Sequence, residues 1–157
     1  MDIIIKKASI DDLEIVRDFT KKLISNSFDK YDPTININFA DTDGGKNYLE
    51  KSINNDDRIV LLAESDGKIV GYILAMIEKV GDFRIIDNQC EIDFLWVEEE
   101  YRVQGIATKL LKSVDEWCIE KGIKRVIVSV DPKNAKAIEL YKELAFSECD
   151  LHLGKNL

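Results

Sequence analysis

Residues 91–111 read EIDFLWVEEEYRVQGIATKLL, and this stretch decides the fold. Phe94, Leu95, Trp96 and Val97 form a bounded apolar run, the pattern of a buried strand. Glu98-Glu99-Glu100 and Tyr101-Arg102 then make a short polar turn. From Ile106 the apolar residues fall at 106, 107, 110, 111, 114, 117 and 118, a stripe with helical spacing. A strand–turn–helix junction of this kind aims free backbone N–H groups and the positive end of a helix dipole at one spot, which suits a phosphate. Gly105 lets a ligand approach the backbone where a Cβ would stand in the way. The spacing alone also fits a junction that merely needs a tight turn.

Two motifs add to this. Arg102-x-x-Gly105-x-Ala107 resembles the Arg/Gln-x-x-Gly-x-Gly/Ala signature of the GCN5-related N-acetyltransferases, the GNAT superfamily. Downstream, Asn134-Ala135-Lys136-Ala137-Ile138-Glu139-Leu140-Tyr141 and Leu144-Ala145-Phe146 resemble that family's Asn-x-x-Ala-x-x-Leu-Tyr helix and its closing Leu-Gly-Phe, with Ala145 in place of glycine. The resemblance covers about the last two-thirds of the chain, from Ile59 onward. It implies an α/β fold: a mixed, mostly antiparallel sheet flanked by helices on both faces, with splayed central parallel strands. Acetyl-CoA is the implied co-substrate and an amine the implied acceptor, with no metal.

The rest of the chain reads as one domain over residues 1–157, with no repeat or linker. At 157 residues and 45% hydrophobic content it can bury a real core. No run approaches the ~18 apolar residues of a membrane span, and Met1 to Lys7 lacks a signal-peptide layout, so a cytoplasmic protein is expected. Cys90, Cys118 and Cys149 are odd in number and far apart, which argues against a disulfide framework and a zinc site; Cys118 lies on the helix stripe and should be buried. A formal net charge of −8 disfavours nucleic acid and favours neutral or cationic partners. A homodimer is left open.

Ile3 to Lys7 reads as a first strand. Ser9 and Asp12 resemble a capping box that starts a helix with Leu13, Val16, Phe19 or Thr20, and Leu23 buried. Residues 26–43 should be irregular, and a second helix should run from about Gly45 to Asn54. Arg58–Ser65 and Lys68–Lys79 are apolar runs joined by Asp66-Gly67, a strong hairpin signal. Gly122 should end the central helix. Arg125–Val130 reads as a strand joined to the central one by a parallel crossover. A last strand is expected over Phe146–Leu153.

For the chemistry, the resemblance and the residues combine. The N–H groups from Val103 to Thr108 (Val103, Gln104, Gly105, Ile106, Ala107 and Thr108) are the candidate pyrophosphate cradle, and Arg102 of the motif is also expected to bind the cofactor. The resemblance implies that the pantetheine arm lies along Leu95, Trp96 and Val97, where the strand splays from Arg125–Val130. Asn134 and Ala137 would border the arm, with Asn134 also suited to cap its helix. Tyr141 matches the family tyrosine that protonates the departing thiolate; packing its ring in the core is the alternative. Glu91 and Asp93 should share a strand face ~6–7 Å apart at ~3.3 Å per residue, close enough to raise each other's pKa. The resemblance makes Glu91 the general base, and Asp93 the acceptor-binding neighbour. Ser129 stands where N-terminal acetyltransferases often carry glutamate, which weakens that activity. Glu98, Glu99 and Glu100 are expected to turn outward into solvent, and His152 to lie on the surface. The expected activity is acetyl transfer to a primary amine by direct attack, the acceptor a cationic small molecule. Protein lysine or N-terminal acetylation and a non-catalytic acyl-CoA sensor are the competing readings.

Overall fold

The computed structural model describes residues 2–157. Among them, the sheet has five strands in the order β1-β2-β3-β4-β5: β1 is Ile3–Lys7, β2 Arg58–Ser65, β3 Lys68–Lys79, β4 Asn88–Val97 and β5 Val126–Val128. Neighbouring strands are antiparallel except β4 and β5, which run parallel. The helices are α1 (Leu13–Lys30), α2 (Asp43–Ile53), α3 (Ile106–Glu120) and α4 (Ala135–Glu143). The hairpin has the expected boundaries because Asp66 and Gly67 both take positive φ, 49° and 79°, which two-residue turns between twisted strands need.

Alternation along β2 and β3 sorts the core into two layers. Leu61, Ala63, Ile73 and Ala75 pack with Leu110, Leu111, Val114 and Cys118 of α3. Val60, Leu62, Tyr72 and Leu74 pack with Val16 and Phe19 of α1 and Leu49 of α2. The sheet is thus covered on both faces, and each fully buried Leu or Ile adds about 1.5–3 kcal/mol of hydrophobic stabilisation. The Ser9 N–H donates to the Asp12 carboxylate at 2.8 Å, as a capping box requires, but a 3-10 turn over Ile10–Asp12 precedes α1. Ile24, rather than Leu23, is the buried residue at the end of the α1 stripe.

Three expectations are corrected. The segment after Asn26 is not wholly irregular: α1 continues to Lys30, and a 3-10 turn spans Phe39–Asp41. The strand expected over Arg125–Val130 is confined to Val126–Val128, because β4 bulges at Asp93 and leaves residues beyond Val128 without a ladder. No strand forms over Phe146–Leu153. Instead α4 ends with Ala145 at φ +66° and the Phe146 N–H donating to the Tyr141 carbonyl at 3.0 Å, a Schellman closure. Beyond it Leu151 and Leu153 are exposed, since β5 offers only a short template to pair with. No helix among the described residues is long and apolar enough to cross a membrane.

Candidate active site

Gly105 caps α3 at φ +78°, and Val103 just before it also takes a positive φ, +60°. A β-branched residue in that region is strained by about 1–3 kcal/mol, a strain that clusters at ligand sites. Alternating such residues curls the backbone so that successive N–H groups converge, the geometry of an anion nest. No acceptor among the described residues takes the N–H groups from Val103 to Thr108. A Cβ built on Gly105 would meet no protein atom within 4 Å, so the space above the nest is open to a ligand. A helix N-terminus leaves its first N–H groups unpaired anyway; here the run begins earlier, in the turn itself. The residues therefore fit a pyrophosphate.

Arg102 contributes differently. Its own N–H donates to the Glu99 carbonyl at 3.3 Å, so it is not part of the open run. Its Nε donates to the Val97 carbonyl at 2.8 Å and its guanidinium lies 4.6 Å from the Trp96 ring, bracing the turn against β4. The acidic run turns out into solvent at Glu99 and Glu100, as expected, but Glu98 is largely covered. Glu98 pairs with Lys22 and accepts from the Trp96 indole at 3.3 Å; Glu99 pairs with Arg102 at 3.5 Å and Glu100 with Lys68 at 3.2 Å. Burial pushes the Glu98 carboxyl up, but the hydrogen bonds from Lys22 and the Trp96 indole, with the charges of Lys22 and Lys68, together hold the pKa below the usual value. Each carboxylate beside the nest thus has its own cation.

Beside the nest the sheet opens. Pairing between β4 and β5 stops at Ile92 and Val128, so Asp93 to Val97 has no strand on that side. Leu95 and Val97 side chains face the α3 layer, where Ala107, Ala137 and Tyr141 also pack. Trp96 turns to the opposite layer. Asn134 caps α4, its side-chain oxygen accepting from the Ala137 N–H at 3.3 Å. Tyr141 is buried, its ring 5.4 Å from that of Phe146, a packing contact that fits either reading. Its hydroxyl has no hydrogen-bond partner among the described residues, so packing leaves its proton uncommitted. Burial pushes its pKa up to about 12.

The Glu91 and Asp93 carboxylates both look toward the α2 side of β4. The Glu91 pKa is raised by burial, with Glu78 and Asp93 adding like charge. That of Asp93 is raised by burial against two opposing influences, a hydrogen bond from Tyr48 and the charge of Arg58. Reading the sequence did not find Tyr48 or Arg58: an aromatic residue in the middle of α2 and a basic one at the start of β2 carry no signal until the fold brings them to Asp93. Ser129 and His152 are exposed and outside this group.

The sheet of this α/β protein thus opens between its two parallel strands beside an anion nest, with two carboxylates of raised pKa on one of those strands. A sequence profile of the acetyltransferase (GNAT) family matches residues 22–146, and the chain belongs to that family. Solved structures agree in fold. The aminoglycoside acetyltransferase AAC(6')-Iy, in complex with the bisubstrate analogue CoA-S-monomethyl-acetylneamine, superposes with a TM-score of 0.80 at 18% identity, covering 100% of this chain and 99% of that one. A mutant of the BH1408 protein of Bacillus halodurans gives 0.85 at 16% identity, covering 98% and 99%. The aminoglycoside acetyltransferase HMB0005, from an uncultured soil metagenomic sample, gives 0.76 at 22% identity over 100% and 99%.

Proposed function

We propose that the protein transfers an acetyl group from acetyl-CoA to a primary amine of a cationic small molecule by direct attack. The observation that carries this is the open run of N–H groups from Val103 to Thr108 beside the unpaired edge of β4. The donor is acetyl-CoA. Its pyrophosphate is held by the nest, and its arm runs along Leu95 to Val97, bordered by Asn134 and Ala137. Backbone groups of the free β4 edge hold the arm and polarise the thioester carbonyl.

The amine nitrogen attacks the thioester carbon, the C–S bond breaks, and the thiolate leaves. Tyr141 supplies the proton to sulfur. With a pKa of about 12 it stays protonated at any working pH. It therefore acts only as an acid, giving up its proton as the C–S bond breaks and charge builds on sulfur. Glu91 takes the ammonium proton, through water, before attack. Its raised pKa makes it a better base than an ordinary carboxylate. Asp93 holds a second ammonium of the acceptor. Support for a cationic acceptor comes from these carboxylates, from the net charge of −8, and from fold neighbours that are aminoglycoside acetyltransferases.

The test is acetyl-CoA turnover on a panel of spermidine, sisomicin, a lysine-rich peptide and neutral and anionic amines, with wild type and Tyr141→Phe. Turnover on the cationic small molecules is expected, with kcat falling roughly 10²–10⁴-fold in the variant. Donor affinity should be little changed. A fall of less than about threefold would reduce Tyr141 to a packing residue. Preference for the peptide would move the acceptor to proteins, and donor binding without turnover would favour a sensor.

A further inference from the structure

Asp93 occupies an unusual place in the sheet. The register between β3 and β4 jumps from Leu74 opposite Phe94 to Ala75 opposite Ile92, so Asp93 has no partner on β3. On the other side the pairing with β5 ends one residue earlier, at Ile92 and Val128. Asp93 is thus the residue at which β4 loses its ladder on one side while bulging on the other. A bulge re-aims a side chain but does not by itself hold it still.

Tyr48 holds it. Its hydroxyl donates to Oδ2 of Asp93 at 2.5 Å. The tyrosine is itself fixed from several sides. The Arg58 guanidinium lies 4.7 Å from its ring centre and donates to the Ser52 hydroxyl at 2.9 Å, while that hydroxyl donates to the Tyr48 carbonyl at 2.7 Å. The rings of Phe39 and Phe94 pack against Tyr48 with centroids 6.0 and 6.3 Å away. Phe39 can come this close because Gly45 lacks a side chain: a Cβ there would stand 1.8 Å from the Phe39 carbonyl oxygen. So a 3-10 turn, α2, β2 and β4 all meet on one phenol, whose only hydrogen bond among the described residues goes to Asp93. The second oxygen of Asp93 has no partner among the described residues, and although neighbouring side chains crowd the carboxylate, the residue keeps an exposed surface.

We propose that Tyr48 is a positioning residue of the acceptor site, fixing one oxygen of Asp93 so that the other receives the distal ammonium of a polyamine-like acceptor. This rests on the functional reading above and deepens it. A free aspartate at a bulge would lose rotamer freedom on binding an ammonium, whereas one already held does not. Tyr48 also affects protonation. The groups facing Asp93 are Tyr48 from α2, Arg58 from β2, Glu91 on its own strand, and Tyr72 from β3, with Glu78 behind Glu91; α1 contributes the Thr20 hydroxyl, bonded to Tyr72 at 2.8 Å. Burial raises the Asp93 pKa, and Tyr48 and Arg58 pull it back down. Removing the phenol hydroxyl therefore raises it further.

The experiment compares wild type, Tyr48→Phe, Asp93→Asn and the double variant. It uses whichever of spermidine and sisomicin turns over faster, together with a carbon-13 carboxyl titration of the free proteins. Tyr48→Phe keeps the ring and its packing. It should raise the acceptor KM about tenfold, the scale of a lost hydrogen bond to a charged group, and leave the donor KM and most of kcat in place. The Asp93 carboxyl signal and the acidic limb of kcat/KM should both move to higher pH. In the Asp93→Asn background the Tyr48→Phe change should have no further effect on acceptor KM. A merely structural tyrosine would lower the melting temperature but leave the limb unmoved, and that result overturns the assignment. So does additivity in the double variant. If wild type turns over no amine, the transfer reading itself fails. Turnover with an unmoved limb sinks only the role of Tyr48.

Discussion

The proposed reaction has Glu91 and Tyr141 move protons in opposite directions, and their surroundings push both pKa values upward. For Tyr141 this keeps the proton on the phenol until the thiolate forms. For Glu91 it makes a better base whose charge costs stability. A carboxyl whose folded pKa is raised stabilises the fold below its unfolded pKa and loses that contribution as pH rises through the folded value. Glu91 is raised by burial, Glu78 and Asp93, so its ionised form is a burden at neutral pH. Glu91→Gln should therefore melt at the same temperature as wild type or higher at pH 7. That gap should close below pH ~4, where the wild-type glutamate is protonated too. The same variant should lose roughly 10² in kcat. Thermal melts against pH, run alongside the kinetics, check both; a variant less stable at pH 7 would mean that Glu91 holds the strand in place rather than burdening it.

At the scale of elements, what was legible in the sequence had local causes. The β2–β3 hairpin carries its own turn in Asp66-Gly67, and α3 is bounded by Gly105 and Gly122, all at positive φ. The nest was legible because it too is local, a turn opening a helix. What was not legible depends on neighbours distant in sequence. Phe146–Leu153 alternates well enough for a strand, but a strand needs a ladder, and β5 gives only Val126–Val128. Tyr48 joins the site only because β4 bulges at Asp93. The Arg125 carbonyl accepts from the Cys90 N–H at 2.9 Å, so by alternation the amides of Val126 and Val128 point to the open edge. The open edge of β5 and the exposed Leu151 and Leu153 lead to the prediction of a homodimer in which a second copy covers them. Light scattering on a sizing column should give twice the 17.9 kDa chain mass, falling to one chain for Leu151→Lys with Leu153→Lys. A single-chain mass for the unaltered protein would show that the edge stays open.

At the scale of the whole molecule, a net charge of −8 surrounds a site that must bind an anionic donor. The fold separates the two demands. In the proposed reaction the nest neutralises pyrophosphate with backbone dipoles, its nearby glutamates each engaged by Lys22, Arg102 or Lys68, while Glu91 and Asp93 face the α2 side. The overall field is then free to attract a cationic acceptor. Its kcat/KM should fall as salt shortens the Debye length from ~10 Å at 0.1 M to ~3 Å at 1 M; a flat salt profile would assign recognition to contacts alone. The nest is the part on which everything else depends. Calorimetric titration of acetyl-CoA into wild type and Gly105→Asp, with circular dichroism to verify the fold, tests it most directly. The account predicts one donor bound per wild-type chain, and binding abolished by an aspartate placed over the nest while the fold persists. Equal affinity in the two proteins would contradict it.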